Sequence, residues 1–326
     1  MQRRRIGIIG TGKHGSRYAR HLIQDLGESA ELTAICRQSV ASGEAQAREW
    51  GAHFHAEWQQ LVLDPAVEAV ISVTTPNLNP AIAQACREQR KPLLMEKPLA
   101  VSAAEGKTIV DGFRQAGVGL TVGQTLRYNP IILGLRQGVT QAGPLHAFCA
   151  THHLEPSTLP WLTDPERAGG GVIFHTAVHL FDALRFITGQ EVVRVRASAY
   201  QIHNPRLEDL FSAQIEMSAG LVGVVMAGKV GMARAGRYEF MGEDGLVQGD
   251  QVHGTLEMVR EMRITPLPHG PQVAAILPLL RDWLAFLGGH GQNPIPGEEG
   301  LAAVLICEAC RESATTGGWV NLGGML

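Results

Sequence analysis

The residues best placed to do chemistry on an oxygenated carbon are Glu96-Lys97-Pro98. An ammonium held at such an oxygen stabilises developing negative charge and keeps the carbon in place for reaction. About eighty-five residues upstream, in proportion to a βαβ sheet of several strands, lies a glycine-rich loop, Gly10-Thr11-Gly12-Lys13-His14-Gly15. Downstream comes Gly169-Gly170-Gly171, followed by His175, His179 and Asp182. An imidazole titrating near neutrality serves as base in one direction of a reaction and acid in the other. In this order the pieces describe a dinucleotide site, a lysine beside it and a histidine on a helix. That set suits hydride transfer at a carbon bearing oxygen.

The glycine loop follows an apolar strand pattern, Arg5 to Ile9, and opens a helical one over residues 16–26. This is the context in which GxGxxG reads as a dinucleotide fingerprint. Gly10 permits the tight turn, Gly12 lets the backbone approach a pyrophosphate, and Gly15 allows close helix–strand packing. The helix N-terminus then faces the anion. Thr11, Lys13 and His14 belong to the same loop, with His14 expected beside the cofactor phosphates or in solvent. An NAD site usually has an acid at the end of the second strand; here Arg37 stands there, with Ser39 close behind. Arginine cannot accept a hydrogen bond from ribose, but it can grip a 2′-phosphate with two parallel bonds. NADP(H) is therefore the expected cofactor, with NAD(H) as the alternative.

The elements that must position these groups can be read from hydrophobic period. Strand patterns at residues 5–9, 31–36, 68–74, 92–95 and 119–123 alternate with helix patterns at 16–26, 40–50, 80–89 and 103–116. Such alternation implies a parallel sheet covered on both faces. Beyond residue 123 a helix near 131–139 is followed by strand-like runs at 145–151, 192–198, 211–217, 221–227 and 237–241. A helix over 172–187, closed by Gly189, and another over 300–314 complete the pattern. The expected fold is α/β: an N-terminal doubly wound Rossmann domain over residues 1–122, then an α+β domain with a mainly antiparallel open sheet over 123–326.

The chain has 326 residues and a net charge of −3, and only Arg3-Arg4-Arg5 forms a tight basic cluster, so nothing points to nucleic acid. No run reaches the roughly 18 apolar residues that a membrane span needs. The five cysteines follow no disulfide framework, which fits a reducing cytoplasm. Cys307 and Cys310 form a CxxC inside a helical pattern and read as packing.

With Thr75-Pro76-Asn77 after the third of these strand patterns, Arg127-Tyr-Asn-Pro130, and the helix bearing His179 and Asp182, the chain resembles the Gfo/Idh/MocA family. This is the glucose-fructose oxidoreductase and inositol dehydrogenase group, and the resemblance covers essentially the whole length. It implies that Lys97 lies between nicotinamide and substrate, that Thr75, Pro76, Asn77 and Glu96 line the cofactor site, and that Pro98 follows a cis bond. It implies that His179 is the acid/base and that the substrate is a sugar, an inositol or a related hydroxy or keto compound. It also implies a homodimer or homotetramer assembled through the open face of the second sheet. Arg127, Tyr128 and Trp161 are candidates for substrate binding.

The chain departs from the family pattern at His175, where relatives usually carry Asp four residues before the histidine. A carboxylate there would orient the imidazole and favour its cation; His175 cannot. His175 is counted with Lys97 and His179 among the catalytic candidates and with His179 in the substrate site. At i, i+4 the two histidines share a helix face. Beside Lys97 they disfavour one another's protonation, so His179 is expected to stay neutral to lower pH than in Asp-containing relatives. A metal reading of the pair would need a third ligand from His152, His153 or Glu155, and HExxH is absent, so no metal is expected. Two other classes remain: a glycosidase that uses nicotinamide redox transiently, and a dinucleotide-responsive regulator without catalysis. The presence of both Lys97 and His179 argues against the regulator.

Overall fold

The apolar run Ile6-Gly-Ile-Ile9 forms the buried end of the first strand, β1 (Arg4–Ile9), in the computed structural model, which describes residues 3–323. The chain divides into two units, Met1–Thr125 with Ala274–Leu301, and Leu126–Val273 with Ala302–Leu326. The return of residues 274–301 to the first unit is not carried by a single boundary at 122/123.

In the first unit, α1 (Gly15–Gln24), β2 (Ala30–Cys36), α2 (Val40–Trp50), β3 (His53–His55), α3 (Trp58–Leu63) and β4 (Ala69–Ser72) follow β1. Then come α4 (Asn79–Glu88), β5 (Leu93–Met95), α5 (Ala103–Ala116) and β6 (Leu120–Val122). Six strands pair in the order β3-β2-β1-β4-β5-β6, all parallel. Every residue of β4, β5 and β6 is buried, as expected of strands covered on both faces. The order reverses between β1 and β4, and in open α/β sheets ligands bind outside the carboxyl ends of the strands at such a point. The loops leaving those two strands carry Gly10–Gly15 and Thr75-Pro76-Asn77. The late helix Ile276–Leu287 belongs to this unit; its Trp283, Leu279 and Leu280 are fully buried, and the Leu287 carbonyl accepts from Arg4 Nη2 at 2.6 Å.

The second unit begins with α6 (Pro130–Gly138), capped by the Asn129 side chain, which accepts from Ile131 N at 2.9 Å. After β7 (Leu145–His153) and the short α7 (Pro165–Ala168) comes α8 (Val178–Thr188), ended by Gly189 in the left-handed region at φ 67°. Strands β8 (Val192–Tyr200), β9 (Leu210–Met217), β10 (Val222–Gly228), β11 (Ala235–Gly242), β12 (Gly245–Asp250), β13 (Thr255–Arg260) and β14 (Arg263–Pro266) follow. Ile276–Leu287 is then α9, Gly297–Thr316 is α10, and Val320–Asn321 is β15. The nine strands pair as β14-β13-β12-β11-β7-β10-β9-β8-β15, antiparallel except for β7 beside β10. This is the mainly antiparallel sheet that the strand runs predict, extended by a β12–β14 meander that they do not. Where α10 lies in this unit, Ser313 Oγ accepts from Ala197 N at 2.8 Å. Cys307 and Cys310 are fully buried, and burial pushes both thiols upward, so they pack as the sequence predicts. Among the described residues, no helix is long and apolar enough to cross a membrane.

Candidate functional site

The loop after β1 is built on close backbone approach. Gly10 has φ +92°, and a Cβ there would lie 2.1 Å from the Val73 carbonyl oxygen. A Cβ on Gly15 would lie 2.0 Å from the Gly10 oxygen, whereas one on Gly12 would meet open space. The loop is thus packed at its ends and open at its middle, the shape a pyrophosphate cradle requires. Thr11 is buried; its carbonyl accepts from Arg37 Nη1 at 3.1 Å and from Gln46 Nε2 at 3.2 Å, and its hydroxyl donates to Gln46 Oε1 at 2.8 Å. Arg37 is therefore held at the loop by one donor. Ser39 is exposed and donates to Ser42 Oγ at 3.0 Å, and Lys13 is exposed.

Glu96, at the end of β5, is buried and links this loop to the lysine turn. Its Oε1 is 2.8 Å from His14 Nε2 and accepts from Tyr18 Oη at 2.5 Å. His14 therefore gives a ring nitrogen to Glu96, where the sequence leaves it with phosphates or solvent. Burial opposes ionisation of Glu96, but the bonds from His14 and Tyr18 and the Lys97 charge outweigh it and hold the carboxyl below its ordinary value. Burial, and then the Glu96 charge, pushes the Tyr18 phenol well up. Lys97 is half-buried, and the Lys97–Pro98 peptide is cis. Asn79 Nδ2 donates to the carbonyls of Pro98 and Leu99 at 2.9 and 3.3 Å, bracing the turn from α4. Thr75 Oγ1 donates to Asn77 Oδ1 at 2.7 Å in the turn after β4, where Pro76 is buried. Just past β6, Gln124 is buried with an Oε1 that has no hydrogen-bond partner among the described residues.

In the second unit the glycine run has a specific partner. A Cβ on Gly171 would lie 2.0 Å from the Glu208 carbonyl oxygen. Glu208 Oε1 accepts from Gly171 N at 2.9 Å and Ile173 N at 3.2 Å, at the start of a π-turn over Ile173–Ala177. Burial pushes its carboxyl upward despite those donors. The helix predicted over 172–187 thus opens with one π-turn before α8; such turns often occur at functional sites. His175 lies in it, buried, with Nε2 at 3.0 Å from the Ala168 carbonyl, a contact in which the nitrogen must donate. The Trp161 ring meets His175 edge-on at 5.3 Å. His179 lies beyond the π-turn in α8, half-buried, its ring 6.4 Å from that of His152. The two candidate histidines therefore lie on either side of a change in helix pitch.

Arg127 forms a bidentate ion pair with fully buried Asp182: Nε lies 3.1 and 3.0 Å from the two carboxylate oxygens and Nη2 2.6 Å from one. Its fork thus holds α8 in place. Tyr128 is half-buried in the short 3₁₀ turn that Arg127 shares. A cavity of about 150 Å³ is lined by His175, Thr163, His203, Glu208, Asp209 and Lys229. Glu155 pairs with Arg234, and among the described residues the histidines of this region join no group of three convergent ligand atoms.

Sequence reasoning missed Tyr18, Gln46, Asn79, Gln124 and Glu208. Only Glu208 left a trace, in the triple glycine that makes room for it. The first unit fits a dinucleotide: an open backbone at Gly12, closed ends at Gly10 and Gly15, and an arginine fork beside them.

Comparison with known proteins agrees with this geometry. The description "Oxidoreductase family, NAD-binding Rossmann fold" of GFO/IDH/MocA matches residues 4–124, and the GFO/IDH/MocA C-terminal domain matches residues 141–248. Inositol 2-dehydrogenase 1 of Saccharopolyspora erythraea is 30% identical over 67% of this chain and 65% of its own length. The 1,5-anhydro-D-fructose reductase of Ensifer adhaerens is 26% identical over 96% of this chain and 97% of its own. Levoglucosan dehydrogenase, solved in complex with NADH, superimposes with a TM-score of 0.88 at 21% identity, covering 98% of this chain and 99% of that one, and so shares the fold. The chain belongs to the GFO/IDH/MocA family of oxidoreductases, with the NAD-binding Rossmann fold of that family in its first unit.

Proposed function

We propose that the protein is an NADP(H)-preferring dehydrogenase or reductase acting on a hydroxyl-bearing or keto carbon of a sugar, an inositol or a related polyol. The observation that carries this is the fastening of the lysine turn to the glycine loop through one buried carboxylate, Glu96. A lysine tied in this way keeps its place relative to whatever the loop holds.

When bound, the cofactor supplies the hydride donor or acceptor at the nicotinamide C4. The Gly10–Gly15 backbone and the N-terminus of α1 would hold its pyrophosphate. Thr75, Pro76 and Asn77 stand beside them at the switch point. The Lys97 ammonium donates to the substrate oxygen and stabilises its alkoxide character. His179 takes the hydroxyl proton in oxidation and returns it in reduction. His175, fixed by the Ala168 carbonyl, is a donor where a carboxylate would be an acceptor. The polar cavity beside it, with Thr163, His203 and Lys229, supports a substrate rich in hydroxyls. So do relatives named for inositols and an anhydrosugar.

Arg37 carries the cofactor preference. Titration with NADPH and NADH, followed by nicotinamide fluorescence, is expected to give NADPH binding at least about tenfold tighter, a fraction of what a bidentate charged pair contributes. Arg37→Asp is expected to invert the ratio, because its carboxylate accepts from ribose and repels phosphate. An unchanged ratio would discard the 2′-phosphate reading and leave the dehydrogenase standing.

The open face of the second sheet supports self-association. Val222, Val224 and Met226 of β10 alternate outward, and Met241 of β11 joins them through Ala147 of β7. These four side chains are each between 41% and 49% exposed, a stripe larger than scattered surface apolars. A homodimer or homotetramer would cover it. Sedimentation should show an oligomer for the wild type and a monomer for Val224→Glu; a monomeric wild type would refute this assembly.

A further inference from the structure

At the far edge of the first sheet from β6 lies a group of side chains that the redox chemistry does not use. Strand β3 is three residues long and, among the described residues, pairs only with β2, through Ala34–His53, Ile35–Phe54 and Cys36–His55. Because strand side chains alternate, His53 and His55 point to one face and Phe54 to the other. Phe54 packs against α2, where a Cβ on Gly43 would lie 2.1 Å from its ring. The two imidazoles thus share the face turned toward Asp64, the residue that caps the C-terminus of α3.

Asp64 is oriented for both. Its Oδ1 accepts from Ala66 N at 2.8 Å, which leaves Oδ2 toward the histidines. His55 Nε2 lies 2.9 Å and His53 Nδ1 3.6 Å from Oδ2, and the three ligand atoms all fall within 4.8 Å of one another. The imidazole rings meet nearly at right angles, with centroids 4.4 Å apart. Tetrahedral bonds of about 2.0–2.1 Å to nitrogen and carboxylate oxygen place neighbouring ligand atoms roughly 3.3 Å apart. The distances to Oδ2 bracket that value, and His53, whose side chain is 66% exposed, can close the remaining gap by rotation.

We infer that His53, His55 and Asp64 form a binding site for one divalent transition-metal ion of the zinc class, apart from the dinucleotide loop. Two imidazoles and one carboxylate suit zinc, cobalt or nickel; calcium and magnesium select oxygen donors instead. Water completes the coordination on the exposed side. Two cations lie nearby: Lys91 Nζ donates to the Asp64 carbonyl at 2.6 Å, and Arg5 Nε to the Ala66 carbonyl at 2.6 Å. Both are held on backbone oxygens, and their charge weakens the site without entering it. A bound ion would pin the edge strand to the end of α3, where the His55–Asp64 hydrogen bond and the longer His53–Asp64 approach now join them.

The test uses the full chain, stripped by chelator and dialysed against zinc, with metal content and thermal midpoint measured. The wild type is expected to retain one more zinc ion per chain than a His53→Ala/Asp64→Asn double variant, and zinc should raise the midpoint of the wild type alone. His53→Ala by itself, a change at an exposed position that leaves the fold intact, should weaken zinc binding at least about tenfold, as loss of one ligand in three requires. Cobalt should give a visible absorption band in the wild type that the single variant lacks. Equal zinc retention by wild type and variants would place the ion on others of the thirteen histidines and overturn the assignment. So would a wild type that retains none, which would leave the two histidines as hydrogen-bond and ion-pair partners of Asp64.

Discussion

Lys97→Met is expected to lower kcat by about 10²–10³-fold on any substrate the wild type turns over, the usual consequence of removing one donor from a developing oxyanion. Methionine keeps the length and apolar body of the stem while deleting the ammonium. Glu96 loses the nearby Lys97 charge but keeps the His14 and Tyr18 bonds that fasten the turn. The nicotinamide cofactor should therefore bind within about threefold of wild-type affinity, so that the loss falls on catalysis rather than on binding. Lys97→Arg should not restore the rate, because a planar fork cannot place one compact charge where the ammonium stood. A Lys97→Met enzyme within tenfold of wild type would show that the oxygen is polarised by another group.

His179→Gln should cost about 10²–10⁴-fold in kcat/KM, the range of a positioned general acid–base group. Its pH signature is the stronger test. In oxidation the imidazole must be unprotonated, so the wild-type rate should rise with pH through the histidine pKa. In reduction the protonated form is needed, and the rate should fall through the same value. Both limbs should vanish in the glutamine variant. His175→Asp should move the limb to higher pH, because a carboxylate favours the imidazolium whereas a second imidazole does not. The native residue donates from Nε2 to the Ala168 carbonyl, so the aspartate variant also loses a hydrogen bond there and is best read by its pH profile. A limb that stays put, or moves down, would remove the charge argument for His175.

Much of the fold is legible because one side chain decides each local choice. Ile8, Val70 and Leu94 lie in short apolar runs that only a doubly covered strand can bury, and Gly10 and Gly15 stand where any Cβ would strike a carbonyl. The β12–β14 meander is less visible: Gly245-Leu-Val-Gln-Gly-Asp250 is half polar, and its pairing is fixed by neighbours, not by its own period. The site is legible in its motifs and illegible in its joints. Tyr18 and Glu96 are seventy-eight positions apart, and no local pattern predicts that they share a proton donor and acceptor. Arg127 looks like a substrate group in the sequence, and nothing local shows that its partner is the buried Asp182, fifty-five positions away. The π-turn has no sequence period of its own, which is why the segment around His175 reads as plain helix.

The first unit is not continuous in the chain. Its sheet is complete by Val122, yet α9, with fully buried Trp283, is supplied by residues that follow the whole nine-stranded sheet apart from β15. During synthesis the finished sheet must wait roughly ten to thirty seconds for its last covering helix, at ribosomal rates of about 5–20 residues per second. Throughout that interval the apolar surface meant for Trp283, Leu279 and Leu280 stands uncovered. The two units therefore cannot be separated by a single cut, and a fragment ending at the first boundary would carry a permanent patch of exposed core. What looks like an appended tail is the closing piece of the first domain, delivered last.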